Sequence, residues 1–315
     1  MKMIFMGTPE ASARVLQALL DAGHEILAVV TQPDRPKGRG QKMSFSPVKE
    51  LALAKALPLQ QPDKIKRDPV FSSFLRALNP ELIVVVAYGK ILPETILNIP
   101  RYGCINLHAS LLPKYRGAAP IQWALLNGEK ETGITIMRLN PFLDQGEIIL
   151  QEKILIGDGD NAETLADKLF EKGARLLLEA LEQINRGTAK YLPQNEAAAS
   201  YAPAISKESG EMDWRKSAVE IYNRVRALRP WPMAHTFRQE KILKIWQAEI
   251  SPLDLDSKFS LPGTVTRLLK NVGFIIATGK GHLLIKTVQP AAKKRMGAYE
   301  YAIGHGLKAG EILPN

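Results

Sequence analysis

The chain predicts an α/β protein: a doubly wound, mostly parallel sheet followed by a small C-terminal β-barrel of OB-like kind. Three observations predict it. Short apolar runs alternate with amphipathic helical runs through the first half. One run, Leu82 to Ala87, is apolar throughout, as a strand covered by helices on both faces requires. The last third holds five short strand-like runs divided by turn residues.

The elements follow in order. Lys2 to Met6 is an apolar strand ending in Gly7-Thr8-Pro9. A helix over Glu10 to Asp21 puts Val15, Leu16, Leu19 and Leu20 on one face, and Gly23 stops it. Ile26 to Val30 is a second strand. Helices follow over Val48 to Ala56 and Phe71 to Leu78, then strands over Leu82 to Ala87 and Cys104 to Leu107. This order is Rossmann-like, and such sheets gather ligands at the carboxyl ends of their strands. Thr132 to Leu139 and Glu147 to Ile156 break the alternation and read as two strands joined by a loop. A long helix runs from Ala162 to Arg186. Thr188 to Ile205 shows no periodicity and reads as a linker. One helix is expected over Asp213 to Leu228, before strands over 234–238, 241–250, 263–269, 272–278 and 283–288. The expected division is therefore 1–187, a linker 188–205, and 206–315.

Composition narrows the function. Apolar residues make up 45% and charged residues 23%, a globular balance. No signal-peptide layout precedes the first strand, and no apolar run approaches the length of a membrane span, so the cytoplasm is the expected compartment. The single cysteine, Cys104, allows no internal disulfide and no cysteine-rich metal cluster; in a strand it reads as a small buried hydrophobe. The net charge of +10 is unevenly placed. From Ser206 onward there are 18 Lys and Arg against 10 Asp and Glu, and Thr31 to Lys42 holds four basic residues and one acid. An anionic partner and a merely solubilising surface account equally for charge alone.

The first strand ends in neither a dinucleotide fingerprint nor a phosphate loop, and the chain has no HExxH or Cys/His cluster. The informative stretch is Asn106-Leu107-His108-Ala109-Ser110-Leu111-Leu112-Pro113. Strand period puts Asn106 and His108 on one side. An amide donor and an imidazole there suit oxyanion stabilisation and proton transfer. On spacing alone, a histidine that merely bonds the following turn fits equally well. Asp144, with Gly146 two residues on, reads by itself as turn chemistry.

The run 106–113, then Tyr115-Arg116-Gly117-Ala118-Ala119-Pro120-Ile121-Gln122-Trp123, resembles the signature of the 10-formyltetrahydrofolate-dependent formyltransferases, and Leu143-Asp144-Gln145-Gly146 resembles their catalytic Asp loop. Most narrowly the chain resembles the members that formylate methionine on initiator tRNA. That match rests on residues 31–40, Val84 to Gly89, Trp231-Pro232-Met233 and 284–294. Three departures stand beside the Asp loop and signature: Phe142 for a common Gly, Gln145 for a common Thr, and Ala109 for a common Gly.

The resemblance implies a formyl-folate co-substrate held by Val86, Ala87, Tyr88, Ser110, Leu111, Leu112 and Pro113. It implies Asn106 and a protonated His108 as donors to an oxyanion. Asp144 would accept from His108 or, through water, from the attacking amine. It implies an initiator Met-tRNA gripped by Arg35, Lys37, Arg39 and Lys42 on a loop, and by Arg224, Arg226, Arg229, Lys293, Lys294 and Arg295 on the C-terminal domain. No metal, no membrane and no second subunit is called for. The signature also admits a formyltransferase for sugar nucleotides or small amines, or a formyl-folate hydrolase. A non-catalytic RNA-binding protein on the same fold is the reading from another class.

Overall fold

The computed structural model describes residues 1–37, 42–252 and 261–314, divided into two compact units. The first takes residues 1–120, 131–155 and 166–203; the second takes 121–130, 156–165 and 204–315. Two short stretches of the first half thus belong to the second unit.

The first unit opens with β1 (Lys2–Gly7), α1 (Glu10–Asp21) and β2 (Glu25–Val30). A small hairpin, β3 (Arg35–Lys37) and β4 (Lys42–Ser44), follows, then α2 (Pro47–Ala54), β5 (Leu59–Gln60) and α3 (Pro69–Ala77). Next come β6 (Leu82–Val86), α4 (Glu94–Leu97), β7 (Cys104–His108) and α5 (Pro120–Leu126). β8 (Glu131–Arg138), β9 (Ile148–Leu155) and α6 (Ala162–Asn185) complete the first half. The sheet runs β5-β2-β1-β6-β7-β8-β9. β5, β2, β1, β6 and β7 are mutually parallel, whereas β8 and β9 are antiparallel additions. The two strands that broke the alternation in sequence are these additions.

Local chemistry sets the helix ends. Ser46 and Asp68 accept from Lys49 N and Phe71 N at the starts of α2 and α3, each with proline in the first turn. α1 buries Val15, Leu16 and Leu19. Every residue of β6 is buried, as its unbroken apolar run requires. A Cβ on Gly7 would lie 2.8 Å from Ser12 Cβ and 2.9 Å from Val86 O, so only glycine lets β1 turn into α1 this close to β6. The Ser12 hydroxyl then donates to Val86 O at 2.6 Å, joining the first turn of α1 to the end of β6.

The second unit is built on an antiparallel sheet. Its strands are β10 (His235–Arg238), β11 (Lys241–Ile250), β12 (Val265–Leu269), β13 (Gly273–Ala277), β14 (His282–Pro290) and β15 (Met296–Gly297). The order is β10-β11-β14-β13-β12, with β15 on β14. Helices α7 (Ala218–Ala227) and α8 (Ala298–Gly304) contribute Ile221, Val225 and Tyr301 to a core with Trp214, Leu243, Ile245, Phe274 and Ile285. The helix expected over Asp213 to Leu228 begins only at Ala218, because Ser217 and Glu220 form a reciprocal capping box. Among the described residues no helix is long and apolar enough to cross a membrane.

The chain's last turn is tied to this sheet by a buried arginine. Arg238 Nε and Nη2 donate to the Glu311 carboxylate at 2.7 and 3.1 Å, and Nη1 donates to His305 O at 2.9 Å. The guanidinium holds the Glu311 carboxyl below its usual range, against the opposing effect of burial. A depressed folded value stabilises above the unfolded carboxyl's pKa and is lost as pH falls through the folded one. Glu311→Gln is therefore expected to destabilise by roughly 1–3 kcal/mol at neutral pH. In urea titrations that difference should shrink as the pH drops below about 4.

Candidate active site

β7 supplies the first two groups. Its Leu107 faces α6, where Gly173 leaves room: a Cβ there would meet Leu107 Cδ1 at 2.9 Å. Asn106 and His108 therefore point to the other face, 8% and 6% exposed. The Asn106 side-chain amide makes no hydrogen bond among the described residues, so both its N–H donors remain available.

His108 is oriented by the loop that follows. Its Nε2 lies 2.9 Å from Tyr115 O. A carbonyl only accepts, so Nε2 carries a proton there. The other nitrogen, Nδ1, lies 3.7 Å from Asp144 Oδ2. Each ring nitrogen thus faces an acceptor, and Nδ1 is the one left for a substrate.

Asp144 comes from the connection between β8 and β9. That connection starts beside Cys104, where Leu139 N donates to Cys104 O, and folds back toward the far end of β7. Asp144 has a left-handed backbone, φ 51°. Its Oδ2 accepts from Gly117 N at 2.8 Å. Gly117 has φ 121°, and a Cβ there would sit 2.7 Å from Ala202 O. Gly146 is required by contact: a Cβ would fall 1.6 Å from Arg138 O. The glycine that read as turn chemistry is a point of close backbone approach.

Residues 192–202, which composition read as linker, form part of this site. Leu192 pairs with Ile148. Tyr115 N donates to Ser200 Oγ, Arg116 N to Ser200 O and Ala119 N to Ala202 O. Fully buried Arg116 donates twice to Gln194 Oε1 and twice to the Glu196 carboxylate. Gln194 Nε2 in turn donates to Asp144 O and Gly146 O. The pairing raises Arg116 and lowers Glu196 from their ordinary pKa values. Sequence reading passed over Arg116, Gln194 and Glu196. The one available signal was an arginine inside the signature run with no acid nearby.

The segments expected to hold a co-substrate differ from one another. Val86 and Tyr88 are buried, while Ala87 between them is exposed with a left-handed φ of 46°. Val86 O is taken by Ser12, and Tyr88 O by Gln32 Nε2 at 2.9 Å and Thr8 Oγ1 at 3.3 Å. In the loop 110–113, Ser110 Oγ donates to Lys114 O, Thr135 Oγ1 donates to Ser110 O and accepts from Leu112 N, and Gln151 Nε2 donates to Leu112 O. Ser110 and Leu112 are therefore spent largely on building the loop, with Pro113 O taken by Ser200 N. Leu111 packs where Gly133 leaves space. Phe142 and Leu143, beside Asp144, are 64% and 46% exposed, and Phe142 needs no positive φ, so side chains are tolerated there. Ala109 is buried. Cys104 is buried, its thiol pushed up to about 12 by burial, which leaves it a core residue.

The basic candidates separate into two groups. On the N-terminal hairpin Arg35 is exposed; Lys37 and Lys42 lie on paired backbone, and Arg39 lies outside the described residues. The segment expected to be an irregular loop carries this two-stranded ladder. Its entry is anchored by Asp34, which accepts from Lys49 Nζ and Gln61 Nε2. In the second unit Arg224 donates to Ser209 O, Arg226 to Asn223 Oδ1, and Arg229 pairs with Glu163. Lys293, Lys294 and Arg295 are exposed and make no ion pair among the described residues. Arg295 lies over the Trp246 ring, 4.4 Å from its centroid.

Comparison with known proteins decides what this arrangement belongs to. The formyl transferase family matches residues 1–181, and its C-terminal domain matches 204–306. A methionyl-tRNA formyltransferase of Caldanaerobacter subterraneus subsp. tengcongensis is 49% identical over 313 residues, covering 99% of this chain and 100% of the relative. The chain belongs to the formyltransferase family, in its methionyl-tRNA formyltransferase branch. The methionyl-tRNA formyltransferase of Moorella thermoacetica is also 49% identical, with 99% of each chain covered. Among solved structures, HypX from Aquifex aeolicus in complex with tetrahydrofolic acid superposes with a TM-score of 0.66 at 18% identity, over 99% of this chain and 50% of that one. The sugar 3N-formyl transferase WlaRD gives 0.66 at 21%, over 93% and 99%. These two likenesses show the fold alone.

Proposed function

We propose that Asn106, His108 and Asp144 carry formyl transfer from 10-formyltetrahydrofolate to the α-amino group of methionine esterified to initiator tRNA, in the cytoplasm and by a single chain. The observation that carries this reading is the geometry of β7. Two donors share one buried face, and the histidine nitrogen turned to the substrate side sits 3.7 Å from a carboxylate.

The chemistry follows from those groups. Attack by the neutral amine forms a nitrogen–carbon bond and places negative charge on the formyl oxygen. Asn106 and the Nδ1–H of His108 are the donors for that charge, preorganised before it develops. Asp144 Oδ2 faces Nδ1 and fixes the direction in which the ring donates. The bond from the formyl carbon to the folate nitrogen then breaks. One proton leaves the amine and one reaches the folate nitrogen, so the two sides balance. A free α-amino group has a pKa of about 8, so an acceptor close by helps keep it reactive; Asp144 is the carboxylate that faces His108. Exposed Ala87 and the apolar side chains of Phe142 and Leu143 suit a flat, partly apolar co-substrate. The built loop 110–113 supports its edge.

The deciding assay compares formylation of methionine-charged initiator tRNA with that of small amines and sugar nucleotides, using one formyl-folate donor. Preference for the tRNA by several orders of magnitude is expected; preference for a small amine overturns the reading. Of the six C-terminal candidates, Lys293, Lys294 and Arg295 are exposed and make no ion pair among the described residues, so their charges can meet phosphates. Replacing all three with alanine is expected to weaken tRNA binding and to flatten the plot of log affinity against log salt by about 0.9 per lost contact. An unchanged slope removes them from the interface. Arg224, Arg226 and Arg229 are committed to their own unit.

A further inference from the structure

We infer that Gln194 is the positioning residue for Asp144, acting on the proposed site from a segment 50 residues away in the chain. The inference rests on the role proposed for Asp144. That residue holds a left-handed backbone, φ 51°, uncommon outside glycine but one that Asp tolerates. Two sets of contacts hold it in place. Gly117 N holds the carboxylate at Oδ2, 2.8 Å away. Gln194 Nε2 holds the backbone, donating to Asp144 O and to Gly146 O, both at 2.8 Å.

The amide cannot turn over. Arg116 has only donors, and two of them, Nε at 3.0 Å and Nη2 at 2.8 Å, reach Gln194 Oε1. The nitrogen end must therefore face the two carbonyls, and both its hydrogens are used. Arg116 is itself fixed. It is fully buried, two more of its donors reach the Glu196 carboxylate at 2.6 and 2.8 Å, and its backbone pairs with Ser200 and Ala202. Both restraints on Asp144 converge on this arginine, since Gly117 is the next residue. Without Gln194 the carboxylate keeps one contact while the backbone beneath it is released. The separation of 3.7 Å from His108 Nδ1 is then no longer enforced.

The test uses the full chain with formyl-folate and charged initiator tRNA, in single turnover with enzyme in excess. Gln194→Leu is expected to lower the rate of transfer about 10- to 100-fold, the scale set by ångström misplacement of a catalytic group. Binding of both substrates should stay within about twofold. Gln194→Glu, of the same size, keeps the acceptor for Arg116 and turns an acceptor toward two carbonyls. It should lose at least as much, and it serves if the leucine variant does not fold. A merely structural role is separated by a cycle: in an Asp144→Ala background, adding Gln194→Leu should change the rate by less than about twofold. Wild-type rates in Gln194→Glu, or losses that multiply in the double variant, overturn the positioning role alone. A fully active Asp144→Ala overturns the reading of the site and the positioning role with it.

Discussion

Asn106→Ala is expected to lower turnover by about 10²–10³, the usual cost of one oxyanion donor, while substrate affinities stay near those of the unaltered protein. The argument begins with an absence of competition. The Asn106 amide is buried on the strand face it shares with His108 and has no side-chain partner among the described residues. Its replacement removes little from the fold, so a fall in rate reports on chemistry. His108→Ala should cost as much or more, because it also vacates the position beside Asp144. A histidine that merely bonded the following turn would give another pattern. Losing its contact to Tyr115 O would then lower stability and leave the rate of the remaining folded protein unchanged. Rapid-quench rates set beside urea unfolding curves separate the two outcomes. Near-normal rates in both variants would dismiss Asn106 and His108 from the mechanism.

Legibility in the sequence tracked the range of the contacts involved. The parallel sheet and its helices are written in local periodicity, and the strand period alone put Asn106 and His108 on one face. Asp144 was not legible from spacing, because an Asp two residues before a Gly is common in turns. Only the resemblance to a family singled it out. Gln194 and Glu196 could not be read at all, and Arg116 left only the signal of an arginine with no acid nearby. Their pairings span 78 and 80 residues, and the strap bearing the glutamine and the glutamate is irregular chain without periodicity, which composition renders as linker. The C-terminal helix shows the opposite lapse. Ser217 and Glu220 stand three apart in plain view, and that local signal places the start at Ala218 instead of Asp213.

Gly146→Ala should nearly match the loss from Asn106→Ala, without touching any group that meets a substrate. An added Cβ would lie 1.6 Å from Arg138 O and 2.8 Å from that residue's carbonyl carbon. Ordinary contact distances exceed 3 Å, so the peptide must move by more than an ångström or Arg138 must leave its strand. Arg138 is paired with Ile105 of β7, and its own N–H bonds Glu147 O, so the sheet resists. The freer side is the connection carrying Asp144, and Gly146 O is one of the two carbonyls that Gln194 holds. The strain therefore reaches both the backbone of Asp144 and the amide that orders it. A shift on that scale costs about 10² in rate, together with roughly 1–3 kcal/mol of stability from overpacking. Gly159→Ala is the control: nothing lies within 4 Å of its Cβ position, and its rate should be unchanged. If Gly146→Ala lost stability yet kept its rate, the placement of Asp144 would not limit transfer. The carboxylate would then act at a distance rather than through fixed geometry.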